Sequence, residues 1–168
     1  MAVAWPKRIQ ADQTARPQFH HVIDIVPTIY ELTKITPPRV VNGFEQDPIA
    51  GVSLAYALGD ARAAGKRKTQ FFDIMASRGI YHDGWFASAR GPREPWVGGV
   101  PPGIKEWSPL TDPWELYNLD DDWSQANDLA AQNPQKLKEL QDVFAREAIR
   151  NHVFPLDDRR VERFDARI

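Results

Sequence analysis

The chain has 168 residues, of which 26% are charged and 42% hydrophobic, and its formal net charge is -2. This length accommodates one ordinary domain, or a small domain plus part of a neighbour. A nearly neutral chain without clustered Lys or Arg offers no electrostatic basis for binding nucleic acid or an anionic membrane. The sequence contains no Cys, which excludes disulfides, thiolate zinc sites and a cysteine nucleophile and leaves the cellular compartment open. No apolar stretch approaches the ~20 residues of a membrane span.

The first predicted helix begins near Asp24 and is about three turns long. Asp24 occupies the N-cap position, where its carboxylate is expected to accept backbone N–H bonds from the first turn. Pro27 falls within that first turn, where its missing N–H costs nothing. Thr36-Pro37-Pro38 ends the helix. Apolar side chains recur at spacings of three and four and predict a face buried on a core: Ile25, Val26, Ile29, Tyr30 and Leu32.

The segments around this helix are predicted to be mostly irregular. Val3-Ala4-Trp5-Pro6 is interpreted as the end of a strand that runs into a turn. Residues 36–68 are rich in Pro, Gly and Asn and predict a loop-rich connection, with one helical turn at Leu54–Leu58. The short basic run Arg62–Lys68 is interpreted as a solvated loop rather than a binding patch.

Residues 69–118 contain the pattern of an antiparallel sheet. Asp83-Gly84 between aromatic residues predicts a two-residue hairpin, because a primed turn needs the positive φ values that Asp and Gly tolerate. A first turn is predicted at Ala76-Ser77, and residues 90–113, rich in Gly and Pro, are predicted to form a long loop. Strands are predicted at Gln70–Met75, Gly79–His82, Trp85–Ala89 and Trp114–Asn118.

Two helices are predicted after the fourth strand. Ser124 is expected to cap a short helix that ends near Ala131, and Asn133-Pro134 has the pattern of a helix start. The second helix runs to about Arg150, and its apolar stripe needs a partner, which the sheet supplies. The predicted fold class is therefore α+β, with a four-stranded antiparallel sheet packed against a C-terminal helix. The stripe consists of Leu137, Leu140, Phe144 and Ala148.

Several segments taken together resemble one protein family. Phe19–Leu32 is similar to the segment that follows the catalytic half of sulfatases, particularly large bacterial arylsulfatases. Further matches occur in the same chain order, and the set extends from Val3 to Phe164. These further matches are Val40–Gly43, Pro48–Ser53, Arg78–Trp85, Trp114–Leu119, Ser124–Leu129 and Val153–Arg159.

This resemblance implies a domain organisation in the alkaline-phosphatase-like superfamily. Residues 1–66 are expected to be the C-terminal edge of an α/β sulfatase domain, made of a strand, the capped helix and the loop-rich connection. Residues 67–150 are expected to be a small α+β C-terminal subdomain. Residues 151–168 are a charged tail that we expect to be truncated, and Met1 is expected to be an internal residue or an adventitious start.

The resemblance also implies chemistry that this chain does not encode. Sulfatases hydrolyse sulfate esters with formylglycine, made from a Cys or Ser in a Cys/Ser-x-Pro-Ser/Thr-x-Arg motif, and with a bound divalent cation, calcium or magnesium. No Ser of this chain is followed two residues later by Pro. We therefore assign no catalytic, cofactor-binding or metal-binding residue here. The implied partners are the missing N-terminal catalytic portion of the same polypeptide and a small-molecule sulfate ester.

Local candidates for chemistry have simpler structural explanations. His20-His21 with Asp24 suggests a metal cluster, but adjacent histidines point apart and the carboxylate is expected to cap the helix. His82 with Asp83 suggests a catalytic pair, although the hairpin turn accounts for Asp83. The acidic segment Asp120–Asp128 lacks the Gly and the closing Glu of an EF-hand, so we interpret it as a solvated turn.

Some aromatic residues suggest an aryl pocket, and one Gly-Gly pair suggests a phosphate loop. An aryl pocket could be lined by Tyr30-Glu31, Trp85-Phe86 and Trp114. Aromatic residues that flank a hairpin, however, more often pack against each other across strands. Gly98-Gly99 is too short and too closely bounded by prolines for a phosphate loop.

Three hypotheses for function are compatible with the sequence. In the first, the chain is the C-terminal portion of an arylsulfatase-like hydrolase and is inactive by itself. In the second, it is a self-standing, non-catalytic α+β binding or interaction module. In the third, it is a pseudoenzyme whose nucleophile comes from a separate chain. A fragment is expected to leave apolar surface around Val3–Trp5 and the Asp24 helix, which a finished domain would cover.

Overall fold

The computed structural model describes residues 1–10, 12–91 and 108–156. Within these ranges the chain contains helices and two antiparallel sheets of two and four strands, which confirms the predicted α+β class. The chain divides into two compact units, residues 1–68 and 69–168. The predicted domain boundaries at residues 66 and 150 stay predictions. None of the helices in the described ranges combines the length and the apolar character needed to cross a bilayer.

The first unit consists of short elements joined by turns. A 3₁₀ turn at Val22–Asp24 leads directly into α1 (Ile25–Thr33), which ends where Lys34 adopts a left-handed conformation. A small hairpin follows, made of β1 (Val40–Val41) and β2 (Phe44–Glu45), and then α2 (Ala55–Leu58). The predicted helical turn near Leu54–Leu58 is thus confirmed.

The hairpin was not predicted, although its turn residues indicated it. Asn42 and Gly43 have φ values of 52° and 86°, as a primed two-residue turn requires. The strands pair in the register Val40 with Glu45 and Val41 with Phe44. Asn-Gly is a strong hairpin signal when it stands between two strand-forming segments, and here each strand is only two residues long.

Two predictions for the first unit are wrong. Val3–Trp5 forms no strand, and the chain instead turns after Trp5, whose carbonyl accepts the N–H of Arg8 at 2.8 Å. Three residues of the predicted apolar face of α1, Ile25, Val26 and Ile29, are exposed rather than buried. Tyr30 and Leu32 are partly buried, and the one buried residue of this helix is Thr28. The helical period was predicted correctly, but the period does not specify whether the partner of an apolar face lies in the same chain.

The second unit is a sheet covered by one long helix. Four antiparallel strands lie in chain order, and α3 packs on β4 and β5, which confirms the predicted architecture. Asn133 precedes this helix and Pro134 lies in its first turn. The elements are β3 (Thr69–Ile74), β4 (Ser77–His82), β5 (Trp85–Ala89), β6 (Glu115–Asn118) and α3 (Pro134–Arg150).

The core of the second unit lies between α3 and one row of the sheet. Phe71, Ile80, Ala87 and Leu116 are cross-strand neighbours, and the last three are fully buried. Because side chains alternate between the faces of a strand, this row presents a continuous apolar surface to the helix. Three residues of the predicted stripe, Leu140, Phe144 and Ala148, are buried, and Val143 is buried in addition. Leu137, also predicted, is partly buried against this core.

Two predictions for the second unit are corrected. Ser124–Ala131 forms turns and no helix, because the Asp122 carboxylate accepts the N–H groups of Ala126 and Asn127, both at 2.8 Å. Ser124 donates its hydroxyl to the same carboxylate at 2.7 Å instead of capping a helix. The first hairpin turn lies one residue earlier than predicted, at Met75-Ala76. Gly98-Gly99, most of the predicted 90–113 loop and most of the 151–168 tail lie outside the described residues.

A buried arginine, Arg78, stabilises the Met75-Ala76 turn. Arg78 is almost fully buried and donates to the Ala76 carbonyl and to the Asp112 carboxylate, both at 3.0 Å. Its guanidinium also lies 5.4 Å from the centre of the Trp114 ring. Met75 and Ala76 have φ values of 49° and 67°, which are unfavourable for residues with a Cβ. The contacts of Arg78 therefore help to hold a turn that its own residues disfavour.

Replacement of Met75-Ala76 by Asn-Gly is expected to raise the free energy of unfolding of the second unit by about 1 kcal/mol. Asn and Gly adopt positive φ at little cost, so the substitution removes backbone strain from the native state. Denaturant titration followed by tryptophan fluorescence measures the change. The reciprocal replacement of Asn42-Gly43 by Met-Ala serves as a control and is expected to destabilise its hairpin. An unchanged midpoint for the Asn-Gly variant would contradict the prediction.

Candidate functional site

Asp24 is fully buried and is the centre of the polar network in the first unit. Arg67 contacts both carboxylate oxygens: its Nε lies 3.1 Å from Oδ1 and 2.9 Å from Oδ2, and its Nη2 also donates to Oδ1. The backbone N–H of His21 donates to Oδ2 at 2.9 Å and that of Val52 to Oδ1 at 2.7 Å. We call this arrangement of Asp24, Arg67 and the two amides the Asp24 clamp.

The clamp corrects two predictions. The Asp24 carboxylate does not cap α1, since it accepts N–H groups from His21 before the helix and from Val52 far along the chain. The basic run Arg62–Lys68 is not entirely solvated, because Arg67 is buried. Asp24 and Arg67 are 43 residues apart, so no local pattern in the sequence relates them.

The close approach of two backbone segments makes the clamp possible. Gly51 precedes Val52 and passes so near Ile23 that a Cβ on Gly51 would lie 2.0 Å from the Ile23 carbonyl oxygen. That approach brings the Val52 amide to the Asp24 carboxylate. The glycine is therefore required here for space, and its backbone conformation is an ordinary one.

Gly51→Ala is expected to destabilise the first unit by about 2–3 kcal/mol, because the backbone around Ile23 must move to admit the methyl group. Gly59→Ala is the matched control, since a Cβ on Gly59 meets no atom within 4 Å. Hydrogen exchange of the α1 amides reports the stability of this unit. Equal exchange rates in the two variants would argue against the close approach.

The environment of Asp24 keeps its carboxylate ionised. Burial acts to raise the pKa, but the hydrogen bonds from Arg67, His21 and Val52 and the charge of Arg67 outweigh it and lower the pKa to about 2. A general acid or base needs a pKa near the working pH. Asp24 therefore serves as a fixed structural charge.

The structure brings His20, His21 and Asp24, for which the sequence disfavours a metal site, together only in part. His20 Nδ1 lies 3.6 Å from Asp24 Oδ2, which is too long for a hydrogen bond, and Nε2 lies 3.4 Å from the Tyr56 hydroxyl. Arg67 already occupies both Asp24 oxygens. In the described ranges no three His, Asp or Glu side chains form a group that could hold a metal ion. His20, His21 and Asp24 therefore do not form a metal site among the residues that the structure describes.

His82 takes part in a hydrogen bond across two strands. Its Nδ1 lies 2.8 Å from the Thr69 hydroxyl, while its Nε2 lies 3.9 Å from Asp83 Oδ2. A catalytic arrangement would need the carboxylate within hydrogen-bonding distance of the imidazole to orient it. Asp83 has φ of 44° at the tight turn before Gly84, so the turn accounts for its presence.

The acidic segment from Asp120 to Asp128 folds around its own carboxylates. Asp122 organises the turns described above, and its hydrogen bond from Ser124, followed by those from backbone amides, lowers its pKa. Asp128 accepts the N–H of Leu116 and that of Ala130, each at 2.9 Å, and so fixes this segment beside β6. The carboxylates of Asp122 and Asp128 thus accept hydrogen bonds from backbone N–H groups.

The aromatic residues that suggest an aryl pocket do not line one common pocket. Trp114 packs edge-on against Phe144 with ring centres 5.6 Å apart, and Trp85 also packs against the core of the second unit. Phe86 packs across strands against Phe72. Tyr30 belongs to the first unit, where it lines an open cleft.

The largest unexplained feature of the first unit is its exposed apolar surface. Val22, Ile25, Val26 and Ile29 form what we call the helix face, and Ile29 is 54% exposed. Beside it lies an open cleft of about 700 Å³, whose walls include Val26, Tyr30, Pro37, Pro38, Arg39 and Ile49. Apolar surface that is contiguous in this way marks an interaction site more often than scattered apolar residues do. The helical spacing predicts this face as a core face, whereas the fragment hypothesis predicts apolar surface around the Asp24 helix, and the exposure of Ile25, Val26 and Ile29 agrees with the second expectation.

Comparison with known proteins relates this fold to sulfatases. One solved structure, of a protein in complex with its substrate D-glucosamine-2-N,6-O-disulfate, matches this chain with a TM-score of 0.50 and 18% sequence identity. The match covers 82% of this chain and 25% of the chain in that structure. Another, from work on the metabolism of multiple glycosaminoglycans by Bacteroides thetaiotaomicron, has a TM-score of 0.46 and 19% identity, and covers 71% of this chain and 23% of its own. Both neighbours are bacterial sulfatases, and the first likeness shows a shared fold. The chain spans about a quarter of the length of either structure. No family model and no curated protein matches the chain.

Proposed function

We propose that the chain is the C-terminal portion of an arylsulfatase-like sulfuric ester hydrolase and that its first unit docks on the catalytic portion through the helix face. The observation that carries the proposal is the exposure of this face, on a helix whose base is fixed by the Asp24 clamp. The fold shared with a sulfatase structure supports the choice of partner.

The physical argument starts from the cost of leaving the helix face in water. Burial of apolar surface contributes roughly 25 cal/mol per Å², so four aliphatic side chains on one short helix provide a substantial driving force for association. The clamp holds the start of this helix in place, and the face therefore meets its partner without first being ordered. In the complete enzyme, formylglycine and a divalent cation of the catalytic portion would supply the chemistry, while this chain supplies packing.

Turnover of an aryl sulfate tests the proposal. The chain alone is expected to hydrolyse 4-nitrophenyl sulfate no faster than buffer does, whereas the chain joined to the polypeptide encoded directly upstream is expected to show sulfatase turnover. In the joined protein, Ile29→Ser is expected to reduce turnover or yield. Leu110→Ser, at a position that is 93% exposed in the second unit, is the control and is expected to change neither.

Two results would overturn the proposal. Turnover by the isolated chain would place the chemistry within these residues. A joined protein that is inactive, and in which the α1 amides exchange as fast as in the isolated chain, would show that the helix face has no partner there.

A self-standing interaction module is the second candidate function. The observation that favours it is the second unit, whose sheet and α3 enclose a core of their own. A module would use the same helix face for a separate protein, and the joined chain would then gain neither turnover nor protection of α1.

A further inference from the structure

The β1–β2 hairpin exposes a second set of apolar side chains in the first unit. Phe44 is 74% exposed, and Val40 and Val41 are exposed beside it. Val41 and Phe44 are direct cross-strand partners and so share one face of the hairpin, while Val40 and Glu45 share the other. Exposed phenylalanine on a short hairpin contributes nothing to the core of its own unit, which calls for another explanation.

The hairpin is ordered without a core of its own. Its Asn42-Gly43 turn has the backbone geometry that matches the twist of the two strands, and the Gln46 N–H donates to the Arg39 carbonyl at 2.9 Å to extend the ladder. The Gln46 side chain also donates to the Phe44 carbonyl at 3.1 Å. A two-stranded hairpin is only marginally stable by itself, so contact with a partner would stabilise this one. Because its backbone is already in the paired conformation, little ordering is needed when the partner binds.

The hairpin is continuous with the helix face through the cleft. Val26 and Tyr30 of α1 form one part of the cleft wall, and Glu45 and the residues that follow it form another. A partner that covers the helix face and enters the cleft therefore reaches the end of the hairpin at Glu45. Since about three quarters of the sulfatase structure solved with its disulfated glucosamine substrate has no counterpart in this chain, the catalytic portion is large enough to cover both.

We infer that the β1–β2 hairpin is a second docking element for the catalytic portion, with Phe44 as its anchor, an inference that rests on the proposed function. The matching surface on the catalytic portion is an apolar pocket that accepts a phenyl ring. Aromatic anchors that enter such pockets dominate the binding energy of interfaces.

A binding titration between the separately expressed upstream polypeptide and this chain tests the inference. Phe44→Ser is expected to weaken binding by about 30-fold or more, the effect of removing a hot-spot residue. Trp123→Ser removes an aromatic side chain that is even more exposed, 84% in the second unit, and is expected to change binding by less than about threefold. Hydrogen exchange of the α1 amides in both variants verifies that the first unit remains folded.

The possible results separate this inference from the proposed function. If Ile29→Ser weakens binding while Phe44→Ser binds as tightly as the unmodified chain, the inference is overturned and the proposed function stands. If the unmodified chain does not bind the upstream polypeptide, both are overturned. If the isolated chain forms dimers that Phe44→Ser dissociates, the partner of the hairpin is a second copy and the inference is overturned as well.

Discussion

Asp24→Ala is expected to lower the free energy of unfolding of the first unit by about 3–5 kcal/mol, the usual effect of breaking a buried ion pair from one side. The substitution leaves the Arg67 guanidinium buried without its carboxylate and deprives the Val52 amide of its acceptor. An unsatisfied buried donor costs about 1–3 kcal/mol by itself. We therefore expect the α1 amides to exchange much faster in the variant.

Asp12→Ala provides a matched control in the same unit. Asp12 also pairs with an arginine, Arg16, at 2.8 Å, but both side chains are partly exposed. Water screens such a pair, so its loss is expected to change stability far less than the loss of Asp24 does. The double variant Asp24→Ala/Arg67→Met is expected to recover part of the lost stability, because it removes the uncompensated charge. Equal effects of the two single substitutions would contradict the burial of the clamp.

The pH dependence of stability has a definite sign at Asp24. Its pKa is lowered from 3.8 to about 2 in the folded chain, so the contribution is fully present above pH 4 and is lost as the pH falls through 2. The shift corresponds to about 2 kcal/mol. The difference in stability between the unmodified chain and Asp24→Asn/Arg67→Met is expected to shrink over this window, measured by α1 hydrogen exchange. A difference that stays constant down to pH 2 would show that Asp24 is not the titrating group.

Phe144→Ala is expected to destabilise the second unit by about 3–5 kcal/mol. Phe144 is 3% exposed and contacts Trp114 and Phe154 edge-on, so truncation leaves a cavity between α3 and the sheet. Ile149→Ala on the same helix is the control, because Ile149 is exposed and its loss is expected to cost less than about 0.5 kcal/mol. Denaturant titration followed by far-ultraviolet circular dichroism measures both. A small effect at Phe144 would place α3 elsewhere than on the sheet.

The second unit was predictable because its signals are local. The Asp83-Gly84 turn between aromatic residues specifies a hairpin, and the apolar spacing from Leu137 to Ala148 specifies a helix with one apolar face. The Met75-Ala76 turn was placed one residue late because neither residue is typical of a turn. Its conformation is imposed by the pairing of β3 with β4 and by Arg78, which are tertiary effects.

The first unit was predicted less well because its structure depends on distant contacts. The same helical spacing that marks a core face in α3 marks an exposed face in α1, and only the presence of a partner separates the two. Nothing local distinguishes Arg67 from its basic neighbours Lys66 and Lys68. The role of Gly51 is equally invisible, since it depends on the passage of Ile23 on another segment.

The Asp24 clamp joins three points of the chain that are far apart in sequence. The hairpin lies between Asp24 and Val52 in the sequence, and irregular connections lie on either side of it, the last of which ends at Arg67. A protease that cuts between Asn42 and Gly43 would therefore produce two pieces that remain attached without a peptide bond. The first unit should accordingly tolerate nicking, inserted peptides or relocated termini at this turn while α1 keeps its place.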